Sequence, residues 1–438
     1  MKFLRTGNYR IAFGPQRTFL LIFLLAFVVR VIGVLASHQY LNVERYELER
    51  TALSLAQTGV YGNPYAIPTG PSAHVAPGYT LILAAIFKLF GTGMGAELVK
   101  QIFSSAVSAF QCALILPVAR GLLLDARVGL LTAVFKALLP VKFGTETMGD
   151  WEAPYTAIAL MLLSVVMFRI YREKNFKLKR AVLAGFAWGI GVLFAPVLLP
   201  IFAISVAVGA LFASNREQLG YLRFCAVELL LVAACLAPWA IRNDRALGAP
   251  VIARTNLGIE LRISNNDLAS ADEHVNFDHG LYQKYHPLQN PREAALLRQM
   301  GEIAYNEHAE QQALTWIRAH PGKFVELSMQ RARLFWFYTP HNVDLLQQIK
   351  YFLLALIHVL GLFGLVYLFR RNRIAAVVLS LILVVYPLPN YLIHVGPRQS
   401  YPVDWILVLL MFSLMVPLSD TWRRRRRPTE AFTNSVNA

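Results

Sequence analysis

The stretch NVERYELERTALSLAQTGVYGNPYAIPTGPSAHVAPGY, residues 42–79, directly follows the first long apolar run of the chain. It opens with three glutamates, Glu44, Glu47 and Glu49, and continues as a loop rich in Tyr, Pro and Gly. The preceding run, residues 18–36, has the length and composition of a membrane-spanning helix. The stretch therefore raises the question of why a membrane protein places carboxylates and a polar loop at the surface of the bilayer.

The composition predicts an all-α polytopic membrane protein. Of the 438 residues, 56% are hydrophobic and only 16% are charged, and the mean hydropathy is +0.46. The net charge of +16 comes mostly from basic residues beside apolar runs. That distribution is the positive-inside pattern of membrane proteins, so nucleic acid is not an expected partner. The three cysteines all fall in apolar runs, so no disulfide framework is predicted.

Apolar runs of about 20 residues, the length needed to cross a bilayer, predict ten spans. They lie near 18–36, 97–119, 127–145, 153–171, 181–195, 197–213, 222–240, 349–369, 374–393 and 402–419. We take the first as an uncleaved span, because it is long for a signal-peptide core. The run 77–90 is shorter and carries Lys88, so it is predicted to be an interfacial or re-entrant helix. Every short basic loop and both termini are then cytoplasmic.

This topology divides the chain into four parts. They are a membrane module (1–240) that includes the first outer loop (37–96), an outer segment (241–348), C-terminal membrane helices (349–422) and a basic cytoplasmic tail (423–438). The turn 146–152 and the loop 394–401 also face outward. Because the cytoplasmic loops are too brief to hold a catalytic domain, any chemistry is expected on the outer face.

Two helices are predicted within the outer segment. Asn290-Pro291, with Glu293 soon after, is typical of a helix start, and the helical pattern continues to residue 319. The sequence HPG at 320–322 breaks it, and a second helix is predicted from there to residue 337. Residues 263–289 are rich in Asn, Asp, His and Gly and are predicted to be a loop.

The acids after the first span differ in where a helix over 43–58 would place them. The apolar stripe of such a helix consists of Leu48, Ala52 and Leu55. Glu44 lies on that stripe, Glu49 lies on its flank with Arg45 as a possible partner, and Glu47 lies on the polar side. Glu44 is therefore the acid expected to face inward, where a carboxylate is costly and usually functional. The alternative is a solvated acid at a fraying helix end.

A second group of acids occurs in the turn GTETMGDWEAPY between the third and fourth spans. Glu146, Asp150 and Glu152 lie there on the same side of the membrane as Glu44. Two converging acid groups could orient an acceptor or take its proton, and they permit a divalent metal ion without requiring one. The alternative is a turn that is polar only because it is exposed to water.

Basic residues on the outer face are candidates for binding phosphate. Arg242 follows the seventh span, and Arg398 lies in the short loop HVGPRQSYPVDW. Arginine binds phosphate through two parallel hydrogen bonds, although an arginine next to a span also commonly extends to the lipid headgroups. His74, just before APGY, could hydrogen-bond a phosphate or a sugar, or neither.

The order of several short motifs resembles the C-type superfamily of membrane glycosyltransferases (GT-C), in the branch of the protein O-mannosyltransferases and the aminoarabinose transferase of lipid A. The motifs are Glu44, LSLAQTG ending at Gly59, APGY starting at Ala76, KLFG ending at Gly91, PWAIRN, TNLGIELRISNN, HPGKF and RQSYP. They extend over nearly the whole chain. The first-loop acid is glutamate here, where relatives usually have aspartate, and the late loop reads PRQSYP, where they usually have Arg-Tyr-Arg.

The resemblance implies a GT-C fold with interfacial helices in the first outer loop. It also implies inverting transfer of a hexose or pentose from a polyprenyl-phosphate donor to a lipid-linked or cell-envelope acceptor, on the outer face of a bacterial inner membrane. Glu44 matches the acid that acts as base, Asp150 or Glu152 matches a second acid, and Arg398 matches the residue that holds the donor phosphate. The full implied substrate-binding set is His74, Tyr79, Arg242, Arg398 and Tyr401.

Two other functions remain open at this point. A flippase of lipid-linked sugars would place charged groups along mid-membrane helices, and Arg30, Lys136, Lys142 and Glu228 lie in or near spans. A ligase or polymerase of the O-antigen type would use a pyrophosphate-linked donor. Acids at one face and a large one-sided outer segment favour the surface transferase, whose expected partners are the donor, the acceptor and membrane lipids.

Overall fold

The computed structural model describes residues 14–339 and 344–426, which form helices joined by loops. The helices are α1 (Pro15–Ser37), α2 (Glu47–Thr58), α3 (Pro77–Phe90), α4 (Met94–Gly121), α5 (Ala126–Leu138), α6 (Phe143–Thr147), α7 (Ala153–Glu173), α8 (Leu178–Phe194), α9 (Leu198–Ala210), α10 (Gln218–Leu247), α11 (Leu257–Ser264), α12 (Glu273–Asp278), α13 (Leu281–Tyr285), α14 (Pro291–Met300), α15 (Glu302–Ala319), α16 (Pro321–Trp336), α17 (Leu345–Arg371), α18 (Arg373–Val385), α19 (Leu388–Leu392) and α20 (Pro397–Arg426). Only isolated β-bridges occur in the described ranges. The all-α class is confirmed, and most of the predicted basic tail lies outside these residues.

The predicted spans correspond to helices. Within the described residues, seven helical segments are long and apolar enough to cross a membrane: α1, α4, α7, α10, α17, the α18–α19 segment and α20. The other three predicted spans correspond to α5, α8 and α9, which have 13, 17 and 13 residues. The chain is therefore an integral membrane protein, with seven full-length candidate spans and three shorter helices where ten spans were predicted.

Helix α3, like α5 and α9, is shorter than a straight helix that spans a bilayer. Its 14 residues extend about 21 Å at the usual helical rise, against a hydrocarbon core of about 30 Å. Leu83 and Phe87 of α3 pack in one apolar cluster with Leu48 and Ala52 of α2. This packing joins α2 and α3 into one unit at the start of the outer loop.

Charged side chains inside the bundle pair with each other. Arg30 of α1 lies 2.5 Å from Glu146 of α6, and both side chains are fully buried. Lys142, just before α6, lies 2.7 Å from Asp404 of α20. A buried charge is tolerated when a partner neutralises it, so these pairs hold α1, α6 and α20 at fixed positions.

The outer segment contains more helices than the sequence predicts. The break at His320 is confirmed, but the predicted helix over 290–319 is two helices, α14 and α15. They are separated by Gly301, which has a φ of +84°, a backbone conformation that favours glycine. The side chain of Asn290 accepts hydrogen bonds from the first turn of α14, as its position predicts.

The prediction of a loop over 263–289 is wrong. This range holds α12, α13 and the end of α11. Helices this short are not stable by propensity alone, so their sequence shows little periodicity. Asp272 caps α12 by accepting a hydrogen bond from the His274 amide, and Leu281 of α13 is buried in the core of the outer segment.

Hydrogen bonds connect the outer segment to the loop between α19 and α20. The amide of Glu273 donates to the carbonyl of Val395 at 3.0 Å. Arg331 of α16 is buried and donates to the carbonyl of Leu392 at 2.9 Å. These bonds place Glu273 beside the start of α20, where Arg398 lies.

Close packing of α17 on α20 generates a first prediction. A Cβ atom on Gly364 of α17 would lie 2.0 Å from the carbonyl oxygen of Leu410, which belongs to the backbone of α20 and cannot move aside easily. We expect Gly364→Ala to force the helices apart and destabilise the fold by about 1–3 kcal/mol. The midpoint of thermal unfolding in detergent measures this loss.

Gly95→Ala is the matched control, because a Cβ atom on Gly95 of α4 would meet nothing within 4 Å. An equal loss of stability in both variants would contradict the close approach of α17 to α20.

Candidate active site

The start of α2 places two acids inward and one outward. Helix α2 begins at Glu47, and the carboxylate of Glu49 accepts a hydrogen bond from the Tyr46 amide at 3.4 Å. Glu44 therefore precedes the helix, is exposed, and accepts a hydrogen bond from the Tyr46 hydroxyl. The expectation that Glu44 faces inward is wrong, and so is the placement of Glu47 on a polar side, since Glu47 and Glu49 are both buried.

Glu49 is bound to a lysine rather than to Arg45. The ammonium of Lys100, on α4, lies 2.5 Å from Glu49, 2.7 Å from Glu97 and 3.0 Å from Asp150. Lys100 is only 1% exposed, so its three N–H groups serve three carboxylates away from bulk water. We call these four side chains the Lys100 cluster.

The turn before α7 carries Asp150 and depends on a glycine. Gly149 has a φ of +74°, and its carbonyl accepts a hydrogen bond from the buried Tyr79 hydroxyl. A Cβ atom at this position would lie 2.4 Å from the hydroxyl of Ser104. Both the backbone conformation and the space require glycine, and the residue that follows is held against Lys100.

A cavity of about 510 Å³ lies where the outer segment meets the membrane helices. Its charged lining consists of Glu47, Asp150, Glu152, Arg254, Glu260, Glu273 and Arg398. One wall is apolar and is formed by Ala195, Pro196 and Val197, between α8 and α9, with Tyr386, Pro389 and Ile393 around α19. The cavity therefore combines carboxylates, guanidinium groups and an apolar surface.

Arg398 is held in the cavity by two neighbours. It lies 2.7 Å from the carboxylate of Glu273, and its guanidinium carbon lies 3.9 Å from the ring centroid of Trp151. Burial alone would raise the pKa of Glu273, but the charges of Arg398 and His394 lower it to about 2. The side chain of Arg398 remains 30% exposed, so part of its donor fork faces the cavity.

A second arginine in the cavity was not singled out from the sequence. Arg254 lies in the loop before α11, 3.4 Å from Glu152, and its side chain is 34% exposed. Its sequence context, IARTN, contains no pattern that distinguishes it from a surface arginine. Arg254 and Arg398 both line the cavity and present two guanidinium groups to its interior.

Of the remaining predicted substrate-binding residues, one lines the cavity and three do not. His74 lines the cavity, and its Nδ1 lies 2.9 Å from the hydroxyl of Tyr65. Arg242 instead donates to the carbonyl oxygens of Tyr61 and Ser72 in the first outer loop. Tyr401 is buried and donates to the side chain of Gln111, while Tyr79 supports the turn at Gly149. The structure thus places His74, Arg398, Asp150 and Glu152 around one cavity, while the other three lie outside the residues that line it.

Three buried side chains are close enough to be considered as metal ligands. One ligand atom from each of Glu47, His74 and His286 lies within 4.8 Å of the others. However, Nδ1 of His286 accepts a hydrogen bond from the Leu288 amide, and Nε2 lies 3.2 Å from Glu47. Burial lowers the pKa of His286 to about 4 and raises the pKa of Glu47. Both ring nitrogens of His286 thus have protein partners, and Nδ1 of His74 faces the hydroxyl of Tyr65.

Sequence reasoning also missed the acids and histidines contributed by the outer segment. Glu260, Glu273 and His286 line the cavity, and His394 joins them from the loop before α20. The first three lie in or beside the range that was predicted to be a loop, where polar residues are common and carry no signal of their own. Only their packing against α2 and α20 distinguishes them.

No protein-family description and no curated protein sequence matches the chain. Solved structures of the Archaeoglobus fulgidus oligosaccharyltransferase do match it. The apo form has a TM-score of 0.56 at 13% identity, covering 95% of this chain and 52% of that one. That archaeal protein has the GT-C fold. The chain therefore has the GT-C fold.

Two further structures of the same archaeal protein give similar values. The complex with Zn and sulfate matches with a TM-score of 0.54 at 11% identity, covering 93% of this chain and 50% of that one. The complex with an inhibitory peptide and a dolichol-phosphate matches with a TM-score of 0.53 at 13% identity, covering 96% and 52%. The chain thus spans about half the length of these proteins, and at this identity the likeness shows the fold.

The Glu273–Arg398 pair generates a second prediction. Because the pKa of Glu273 is lowered in the fold, its ionised form stabilises the protein above its ordinary pKa of 4.5, and that contribution is lost as the pH falls toward 2. We expect Glu273→Gln to lower the midpoint of thermal unfolding at pH 7 and to differ less from wild type at pH 3.5. Intrinsic fluorescence during heating measures both midpoints.

Glu260→Gln is the control for this experiment, because Glu260 lines the same cavity but is not bound to Arg398. A difference between Glu273→Gln and wild type that stays constant from pH 7 to pH 3.5 would contradict the ion pair.

Proposed function

We propose that this protein is a glycosyltransferase that moves one sugar from a polyprenyl-phosphate donor to a lipid-linked or cell-envelope acceptor. The observation that carries the proposal is the composition of the cavity. A carboxylate with a free oxygen and two arginines meet there, beside an apolar wall at the ends of membrane helices. The GT-C fold supports the same reaction class by analogy.

The donor would be held by its phosphate and its lipid. Arg254 and Arg398 bind the phosphate, and their charges become more favourable as negative charge develops on the leaving group. The first isoprene units would lie along the apolar wall at 195–197 and around α19. An oligosaccharyltransferase of the same fold binds a dolichol-phosphate, which supports a lipid phosphate as the ligand.

Asp150 is the residue proposed to activate the acceptor. Its Oδ1 receives the hydrogen bond from Lys100, and within the described residues Oδ2 has no protein partner. The acceptor oxygen bonds to the anomeric carbon as the bond from that carbon to the phosphate oxygen breaks. The acceptor proton passes to Asp150, and polyprenyl phosphate leaves with the bonding electron pair. Attack from the side opposite the phosphate inverts the configuration.

The other acids have different roles in this scheme. Glu152 pairs with Arg254 and orients it, and Glu47 pairs with His286 at the cavity wall. Glu44 is exposed outside the cavity, so the catalytic role expected for it passes to Asp150.

We place the site on the outer face of a bacterial inner membrane with both termini in the cytoplasm, because the short loops on the opposite side are basic. Three of the four charges considered for a flippase are paired within the bundle, since Arg30, Lys136 and Lys142 each lie within 4 Å of a buried carboxylate. Glu228 of α10 is buried, and among the described residues its Oε1 has no hydrogen-bond partner.

Sugar transfer tests the proposed function directly. Purified protein in nanodiscs would be incubated with radiolabelled polyprenyl-phosphate hexoses and pentoses and with total membrane acceptors. We expect transfer by wild type, a loss of about 100-fold or more in Asp150→Asn, and a rate within about twofold of wild type in Glu44→Gln.

Full transfer by Asp150→Asn would remove Asp150 from the reaction. Transfer from pyrophosphate-linked donors alone would replace the proposal with the ligase function, and movement of lipid-linked sugar without any new product would replace it with the flippase.

Donor binding generates a separate prediction for Arg254. Arg254→Gln removes one of the two guanidinium groups in the cavity, and we expect about a tenfold or greater loss of affinity for a short-chain polyprenyl phosphate. Arg254→Lys should recover part of the affinity, because it restores the charge without the fork. Isothermal titration in detergent measures both.

Arg292→Gln is the control, because Arg292 is exposed on α14 in the outer segment. An equal affinity in Arg254→Gln and Arg292→Gln would contradict a phosphate site at Arg254.

A further inference from the structure

The Lys100 cluster connects the cavity to the protein interior. Glu49 comes from α2, Glu97 and Lys100 come from α4, and Asp150 comes from the turn before α7. Asp150 alone of the four lines the cavity. Its side chain is 13% exposed, whereas Lys100 is 1% exposed and Glu49 is fully buried. A substrate in the cavity can therefore reach the cluster only through Asp150.

The cluster carries more negative than positive charge. One ammonium and three carboxylates have a net charge of −2 when all are ionised, and neighbouring carboxylates in a buried site disfavour ionisation of one another. Burial and the charges of Asp150 and Glu97 raise the pKa of Glu49, and Lys100 opposes that rise. Tyr46 and Tyr79 are further titratable groups close to the cluster, since the charge of Asp150 acts on both of them.

The ammonium and the two interior carboxylates act on Asp150 in opposite directions. Lys100 lies 3.0 Å from Asp150 and stabilises its ionised, proton-accepting form. Glu49 and Glu97 are bound to the same ammonium, and each negative charge on them favours a proton on Asp150. The charges next to Asp150 thus belong to side chains that do not line the cavity.

We infer that Lys100, Glu49 and Glu97 are positioning residues that hold the Asp150 carboxylate at the cavity wall and set the pH range in which it accepts a proton. This inference rests on the proposed function for its role in catalysis. If all four side chains are ionised, the net charge of the cluster changes from −2 to −1 when Asp150 takes the acceptor proton. The repulsion between Asp150 and the carboxylates of Glu49 and Glu97 then becomes weaker.

The pH dependence of kcat/KM for sugar transfer tests the inference, because the two kinds of substitution shift it in opposite directions. Glu49→Gln leaves Lys100 with one carboxylate fewer to bind, and we expect the acid limb of the profile to move to lower pH. Lys100→Gln removes the positive charge, and the limb should move to higher pH by about 1 unit or more. Lys100→Arg should restore most of the wild-type profile, since it restores the charge.

Glu307→Gln is the matched control for removal of a carboxylate, because Glu307 is exposed on α15 and far from the cluster in the chain. A merely structural role for Lys100 would reduce the amount of folded protein without moving the acid limb. If Lys100→Gln does not fold, Glu49→Gln and Glu97→Gln carry the test, and both should shift the limb to lower pH.

Carbodiimide labelling supplies a readout that needs no activity. The reagent reacts with protonated carboxyl groups, so the pH at half-maximal labelling of Asp150, measured by peptide mass spectrometry, reports its proton affinity. We expect that pH to rise in Lys100→Gln and to fall in Glu49→Gln. If no donor supports transfer but these labelling shifts occur, the proposed function is overturned. The inferred effect of the Lys100 cluster on Asp150 then still stands.

Labelling curves for folded Lys100→Gln and Glu49→Gln that coincide with wild type, or that move in the same direction, would overturn the inference itself.

Discussion

The ammonium of Lys100 is the contact on which the rest of the site depends. A charged group in a protein interior is tolerated only when it is paired and hydrogen-bonded, so Lys100 draws carboxylates from three parts of the chain to one point. Helix α2, helix α4 and the turn at Asp150 therefore meet beneath the cavity. Gly149 makes the turn possible, because any larger residue would collide with Ser104.

The opposite side of the cavity is held by the same kind of interaction. Glu273 of the outer segment binds Arg398 at the start of α20, and its backbone bonds to the preceding loop. Two ion pairs that do not line the cavity, Arg30–Glu146 and Lys142–Asp404, connect α1, α6 and α20. The site is thus a junction between the membrane helices and the outer segment, and ionic contacts help to hold its charged groups in place.

The helices of the membrane part could be predicted from the sequence, because length and hydropathy are local properties of a segment. The orientation of the first-loop acids could not. Glu47 is buried because His286 of the outer segment binds it, and Glu49 is buried because Lys100 of the next long helix binds it. The periodicity of residues 43–58 carries no information about either partner. It therefore predicted that Glu44 faces inward, whereas Glu47 and Glu49 do.

The candidate site also contains some residues that could be predicted from the sequence and others that could not. Asp150, Glu152, His74 and Arg398 lie in motifs that could be recognised by residue type and position, and all four line the cavity. Arg254 and Glu273 lie in segments without periodicity, where short helices form only because the outer segment packs against α2 and α20. Tyr79, Arg242 and Tyr401 also lie in recognisable motifs, yet their hydrogen bonds go to neighbouring parts of the fold.

The most direct test of this account is a cryo-electron microscopy structure of the protein with a bound polyprenyl phosphate. The account predicts phosphate density between Arg254 and Arg398, with the lipid chain along the apolar wall at 195–197 and the free oxygen of Asp150 facing the space next to the phosphate. Phosphate density elsewhere, with the cavity between the two arginines empty, would contradict it.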